Sequence, residues 1–206
     1  MMTGAKVDLS LTSYPYRNES KNMRVIAGTA RRLRLKTLDS MDTRPTQDII
    51  KETLFNVIQV DVPGSRFLDL FAGSGAIGIE ALSRGAEEAV FIENNRKAVS
   101  IINDNLAFTH LADRAEVITG DVMIGMQQIE KKGVFHIIHM DPPYNKDLEK
   151  NVLMYLKNSK LADEETLIII EASQETDFSY LEELGYTIVK DKIYRHNRHL
   201  FLKKKD

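Results

Sequence analysis

From Gly64 onward the chain alternates short apolar runs with amphipathic stretches. The runs near residues 66–71, 89–93, 115–119, 134–140, 166–171, 186–191 and 199–203 have the length and β-branched content of buried strands. Between them, residues near 76–84, 96–109, 122–131, 148–158 and 178–184 carry apolar positions at helical spacing. Strands that alternate with helices predict a parallel sheet covered by helices on both faces. Only residues 193–198 separate the last two strands, too few for a crossover helix, so these two are expected to pair antiparallel. The expected fold is α/β and Rossmann-like, a seven-stranded, mostly parallel sheet with an antiparallel last strand.

Ahead of this alternation, residues 24–38 read as a short β-hairpin whose arms flank Gly28. Leu33 and Leu35 fall on one face of its second arm, Arg34 and Lys36 on the other. Pro45 holds Arg44 extended. A helix is expected over residues 46–60, with Thr46 as N-cap and Pro63-Gly64 as its stop. Ile49, Ile50, Thr53, Leu54, Val57 and Ile58 give that helix an apolar face. Residues 1–22 are polar and have neither the basic nor the apolar region of a signal peptide; Met23 reads as a natural start. The organisation expected is an extension or tag over 1–22, a basic hairpin and helix over 23–63, and the main domain over 64–206.

With 206 residues, 43% apolar and 28% charged, the chain suffices for one sizeable α/β domain. No apolar stretch nears the roughly 20 residues that span a bilayer, so no membrane role is expected. Cysteine is absent, which excludes disulfides and thiolate metal sites and fits a cytoplasmic location. The net charge of −2 hides an uneven distribution. Arg24, Arg31, Arg32, Arg34 and Lys36 form a basic run with no acidic residue among them. Such a run is the footprint of a nucleic-acid contact or, more simply, a solvated strand face.

Two loops at the ends of apolar runs carry the candidate chemistry. Gly73-Ser74-Gly75-Ala76-Ile77-Gly78 satisfies the Gly-x-Gly-x-x-Gly pattern between a strand and a helix, where a cofactor can approach the backbone. The pattern alone leaves NAD and S-adenosylmethionine open. Asp69 helps to separate them, because a carboxylate at that strand end repels a pyrophosphate and suits the cationic amino-acid end of S-adenosylmethionine. Glu93 ends the second strand, where an acid accepts from ribose hydroxyls. Asp121, after the third, can accept from an adenine amine, with Val122 as an apolar wall. Together with Phe71 and Asn94 these residues define one crevice outside the carboxyl ends of the strands. Taken singly, Asp121 is as readily a helix N-cap and Glu93 a solvated turn.

Asp141-Pro142-Pro143-Tyr144 closes the fourth strand at the same edge. A nucleobase amine is a poor nucleophile because its lone pair is delocalised into the ring. Acceptors at the Asp141 carboxylate and the Pro142 carbonyl can grip its N–H groups and turn the lone pair toward a methyl donor. Pro142 and Pro143 restrict the backbone and keep that carbonyl aimed. Tyr144 offers a face on which a base stacks, worth roughly 1–3 kcal/mol. The base must leave its own stack to reach the crevice. The bland alternative is a rigid turn with a packing tyrosine. His196-Asn197-Arg198-His199 lacks a third ligand and reads as a surface turn, not a metal site. Lys203-Lys204-Lys205 reads as a solvated tail.

From Met23 onward the chain resembles the RsmD-type family of bacterial 16S ribosomal RNA guanine-N2 methyltransferases, which have the class I methyltransferase fold. The resemblance runs through Arg24-Val25-Ile26-Ala27-Gly28 and Arg44-Pro45-Thr46 with Lys51-Glu52 and Leu54-Phe55-Asn56. It continues through Asp69 to Gly75 and Asp141 to Tyr144. It implies methylation of one guanine N2 in small-subunit ribosomal RNA, within an assembling particle, from S-adenosylmethionine. On it, Asp141, Pro142, Pro143 and Tyr144 become the catalytic segment, and Asp69, Gly73, Gly75, Glu93 and Asp121 the cofactor site. Arg44 and Thr46 would position the substrate or the methionine end, beside the RNA-facing arginines. Asp-Pro-Pro-Tyr also serves DNA adenine-N6 methyltransferases, although this chain lacks an inserted module for reading base edges. An NAD-dependent oxidoreductase and a catalytically silent RNA-binding protein are the alternatives of other classes. A monomer is expected.

Overall fold

The structure, a computed structural model, describes residues 23–38, 45–143, 147–195 and 197–205, with the side chains of 45–47 excepted. The strands are β1 (Arg66–Leu70), β2 (Glu88–Glu93), β3 (Ala115–Thr119), β4 (Ile137–Met140), β5 (Leu167–Ser173), β6 (Tyr186–Ile193) and β7 (Asn197–Lys204). The helices are α1 (Pro45–Val57), α2 (Ala76–Ser83), α3 (Arg96–Thr109), α4 (Val122–Ile129) and α5 (Leu148–Leu156). The sheet order is β3-β2-β1-β4-β5-β7-β6. The pairings from β3 to β5 are parallel, and β7 runs antiparallel to both β5 and β6. The reversed final hairpin expected from its short link is therefore present.

Each face of the sheet buries its own cluster, because successive side chains of a strand point to opposite faces. Leu68, Leu70, Ile138 and Ile170 pack with Val122 and Met126 of α4 and Val152 and Leu156 of α5. On the other face Phe67, Phe91, Ile137 and Ile169 pack with α1, α2 and α3. The third glycine of the loop sets how close α2 can lie to β2. A Cβ at Gly78 would stand 2.3 Å from Cε1 of the buried Phe91. No described helix is long and apolar enough to cross a membrane.

Several expected elements change in the structure. Residues 178–184 form only the 3-10 turn Ser179–Leu181; Phe178 and Leu181 reach the core, and Gly185 follows too soon for a helix to extend. The run at 134–136 is not strand: Phe135 N–H donates to the Leu161 carbonyl at 2.9 Å, off the ladder. α1 begins at Pro45, a favoured first helical residue, so Thr46 lies inside the helix and is not its N-cap. Its buried face is Lys51, Leu54 and Phe55, continued by Ile58 just past its end, whereas Ile49 is 62% exposed. Of the expected apolar face, Leu54 and Ile58 are buried and Ile50, Thr53 and Val57 half-buried; the pattern did not show that a lysine joins them.

That lysine is part of a buried anchor. Lys51, 3% exposed, donates to the Arg24 carbonyl at 2.6 Å and lies 3.5 Å from Glu80, which is fully buried on α2. Glu80 also accepts from the backbone N–H groups of Ile26 and Ala27 at 2.7 and 3.0 Å and pairs with Arg84 at 2.7 Å. Burial lowers the pKa of Lys51, with the charge of Glu80 opposing that shift. The N-terminal arm is thereby fixed to α2. It is a short hairpin: Arg24 bridges Arg34, and the arms are joined by Val25 N–H to the Leu33 carbonyl at 2.9 Å and Leu35 N–H to the Met23 carbonyl at 2.7 Å, with Val25, Ala30 and Leu35 buried beneath.

Candidate active site

The carboxyl ends of the parallel strands open into a cavity of about 470 Å³, within the roughly 300–1,000 Å³ of small-molecule pockets. Asp69, Phe71, Gly73, Glu93, Asn94, Asp121 and Val122 all line it, as do Asp141 and Pro143. Gly75 is buried behind it as the N-cap of α2, and Pro142 is buried as well. Tyr144 and Arg44 lie outside the described residues, as does the Thr46 side chain. The opposite wall, unforeseen in the sequence, comes from Met23, Leu38, Ile50, Lys51 and Leu54 of the N-terminal arm and α1.

The loop after β1 is held in a conformation few residues adopt. Gly73 and Gly75 have φ of 57° and 77°, and Phe71, with a side chain, has 63°. A non-glycine residue there costs roughly 1–3 kcal/mol. The loop is tied down on both sides. Ala72 N–H donates to the Ile92 carbonyl at 3.0 Å, and Gly73 N–H to Glu93 Oε2 at 2.8 Å. Glu93 Oε1 accepts from Asn95 N–H at 2.7 Å, and Asn95 in turn caps α3. A carboxylate has about four lone-pair sites, so these two bonds leave acceptor capacity for a ribose.

Two other acids already have protein partners. Asp69 is 2% exposed, and both its oxygens have protein partners. Oδ2 accepts from Gly78 N–H at 3.0 Å, one of the orphan donors at the start of α2, and Oδ1 lies 3.2 Å from His139 Nδ1. Asp69 therefore holds the glycine loop and helix in place while it also lines the cavity. Asp121 caps α4 by accepting from Met123 N–H at 2.9 Å, the simpler of its two sequence readings, yet it remains exposed on the cavity wall.

The electrostatics fit a cationic cofactor. Asp69, Glu93, Asp121, Asp141 and Glu171 line the cavity, and Lys51, the lysine among them, is already held by Glu80. A pyrophosphate would meet these carboxylates with no arginine or free ammonium among the described lining residues. A sulfonium with an ammonium group meets opposite charge.

Beside Asp141 the sheet carries a row of polar groups that the sequence did not disclose. β1 and β4 pair Asp69 with His139, and β5 and β7 pair Glu171 with His199. Glu171 Oε2 lies 3.1 Å from His199 Nε2, and its other oxygen accepts from Asn197 Nδ2. His199 is fully buried within β7, which corrects its assignment to a surface turn; His196 lies outside the described residues. No cluster of metal-ligand type occurs among the described residues. Glu171 was legible as a strand-end acid, but only the antiparallel register reveals its histidine.

Asp141 is solvent-accessible at its strand end yet ringed by protein and by other carboxylates. Burial, then the charge of Glu171, push its pKa up to about 7; His139 opposes them and Asp69 adds to them. For Glu171, burial alone would raise the pKa, but the hydrogen bond and charge of His199, with His139 and Asn197, hold it below its ordinary value. Burial likewise disfavours charge on His139, and the hydrogen bond and charge of Asp69 outweigh that, so its pKa is raised. The Nε2 of His139 is buried without a partner among the described residues.

The basic arm lies outside the cavity lining. Arg24 pairs with Asp48 at 3.1 Å and Lys36 with Asp104 at 2.8 Å, while Arg31, Arg32 and Arg34 are exposed. The three C-terminal lysines are not a free tail. Lys203 and Lys205 pair with Glu165 and Glu182, and Lys204 donates to the Ala162 carbonyl.

A sheet of this order, with a glycine loop after β1 and acids at the ends of β2 and β3, defines a class I methyltransferase. Members of that class hold S-adenosylmethionine across these strand ends. The model of the family described as Conserved hypothetical protein 95 matches residues 23–203, and the chain belongs to that family. It is 37% identical over 162 residues to ribosomal RNA small subunit methyltransferase D of Escherichia coli, covering 78% of this chain and 80% of that one. The protein of the same name from Haemophilus influenzae is 32% identical over 176 residues, 85% and 90% of the two chains. Among solved structures, yhhF of Escherichia coli is similar with a TM-score of 0.75 and 29% identity, over 89% of this chain and 98% of that one.

Proposed function

We propose that the protein transfers a methyl group from S-adenosylmethionine to the exocyclic N2 amine of a guanine in small-subunit ribosomal RNA. One observation carries this reading: Asp141, at the end of β4, opens into the same cavity as the glycine loop, Glu93 and Asp121. Bound there, S-adenosylmethionine supplies a methyl group on a cationic sulfonium. Glu93 and Asp121 offer acceptors to hydroxyl and amine groups of the cofactor, and Val122 an apolar wall. Asp141 accepts one N–H of the target amine and the Pro142 carbonyl accepts the other. Tyr144 stacks on the base. Holding the amine in line with the donor replaces a bimolecular encounter by a positioned one.

The ribosomal substrate is supported by relatives named for the small subunit, and guanine N2 by the family resemblance. Exposed Arg31, Arg32 and Arg34 supply the phosphate contacts that position RNA. The protein acts as a monomer in the cytoplasm on an assembling particle. Tritiated methyl transfer to small-subunit particles, naked ribosomal RNA and DNA tests this reading. Label is expected in the RNA of the particles. Label confined to DNA would contradict it, as would tight NAD binding with no binding of S-adenosylmethionine.

A further inference from the structure

Glu171, held by His199 and Asn197, makes no bond to the glycine loop among those described, yet it stands next to the reacting end of β4. The register pairs Met140 with Ile170, so Asp141 and Glu171 are the next residues along adjacent parallel strands, and both line the cavity. Glu171 is fixed from behind. A carboxylate only accepts, so His199 must donate from Nε2, 3.1 Å away; its Nδ1 lies 3.2 Å from the Tyr194 hydroxyl. Asn197 donates to the other oxygen. With both oxygens engaged by donors, the Glu171 carboxylate is held charged and in place beside Asp141.

We propose that Glu171, clamped by His199 and Asn197, is a positioning residue for methyl transfer, whose fixed negative charge makes Asp141 a base strong enough to take the proton of the methylated amine. The inference rests on Asp141 being the amine acceptor, as proposed above. The chemistry requires a proton acceptor. Transfer forms an N–C bond, leaves the electrons of the broken S–C bond on sulfur, and leaves the amine with one proton in excess. Asp141 takes that proton at a carboxylate oxygen and returns it to water at the cavity mouth. An isolated aspartate is a weak base at neutral pH, and a base matched to the working pH is more effective. A like charge beside it raises proton affinity. The groups facing Asp141 are Asp69 on β1, His139 on β4, Glu171 on β5 and His199 on β7, with Lys51 of α1, Glu93 and Asp121 on the cavity walls. Of these, burial aside, Glu171 has the largest influence on Asp141, and Tyr194, raised to about 12 by burial and then by Glu171, senses the same charge.

The test is a carbon-13 NMR titration of the Asp141 carboxyl in the wild type, Glu171→Gln and Glu171→Asp, with the signal assigned by Asp141→Asn. The Asp141 midpoint is expected to fall by about one pH unit in Glu171→Gln and to stay near the wild-type value in Glu171→Asp. The acid limb of kcat/KM for methyl transfer should move with it. An unmoved midpoint in a folded Glu171→Gln protein would overturn the proposal. Coupling is reciprocal, so Asp141→Asn, at an exposed position, must lower the Glu171 midpoint even where Glu171→Gln fails to fold. An unchanged Glu171 midpoint would also overturn it. Methyl transfer by Asp141→Ala separates the two readings: an inactive Asp141→Ala together with no coupling removes only the role of Glu171, whereas an active one removes the role of Asp141 as acceptor.

Discussion

At the scale of single residues, charge and close packing make different demands. Asp141 titrates in the native protein at about 7 against an ordinary 3.8. Between those values the native state binds more protons than the unfolded chain. The stabilisation from Asp141 is thus complete below 3.8 and lost as pH rises through about 7. Asp141→Asn has no such proton to lose. Its Tm relative to wild type is expected to climb across that window and level off above it; a difference independent of pH would refute the shift. Gly78 makes a steric demand instead. Adding one methyl group there drives a Cβ to 2.3 Å from a Phe91 ring that is itself fully buried. Gly78→Ala should lower unfolding free energy by about 1–3 kcal/mol in urea titrations. Unchanged stability would mean that α2 can lift from the sheet at no cost.

Among the elements, periodicity named most of the strands and helices but not how they meet. The strands of the sheet were legible because each is a short apolar run, and the antiparallel pair because residues 193–198 are too few for a crossover. The apolar face of α1 was legible in Leu54 and Ile58, but the buried Lys51 was misjudged, since its burial depends on Glu80 far along the chain. His199 was misjudged for the same reason: β7 is antiparallel, and only its pairing with β5 brings it to Glu171. Ion pairs between distant elements leave no local pattern. The anchor between α1 and α2 can be tested as a unit. Lys51→Met leaves the charge of Glu80 with Arg84 and two backbone donors, so a cost near the low end, about 3 kcal/mol, is expected in urea unfolding. The arm at 23–38 should become the first site of limited proteolysis. If stability and cleavage pattern do not change, Lys51 is not what holds the arm.

For the whole molecule, the cavity lies at the strand ends of the sheet and the exposed basic arm lies outside it, so on the proposed function chemistry and substrate positioning fall to different parts. The glycine pattern, the strand-end acids and Asp-Pro-Pro-Tyr made the crevice visible in the sequence. The wall contributed by Met23, Leu38, Ile50 and Leu54 was not, because these residues belong to a segment that looked like a separate appendage. On the arm, replacing Arg31 and Arg32 by alanine should weaken RNA binding without changing S-adenosylmethionine affinity. The slope of log K against log salt should become shallower by about 0.7–0.9 for each phosphate that the arm no longer neutralises. An unchanged slope would remove the arm from the RNA interface. The most direct test of the central claim is nucleoside analysis of small-subunit particles, from a strain lacking the enzyme, after incubation with the protein and methyl-tritiated S-adenosylmethionine. A labelled N2-methylguanosine peak, absent with Asp141→Ala that still binds the cofactor, is the predicted result. Label in any other nucleoside, or an undiminished peak from Asp141→Ala, would contradict it.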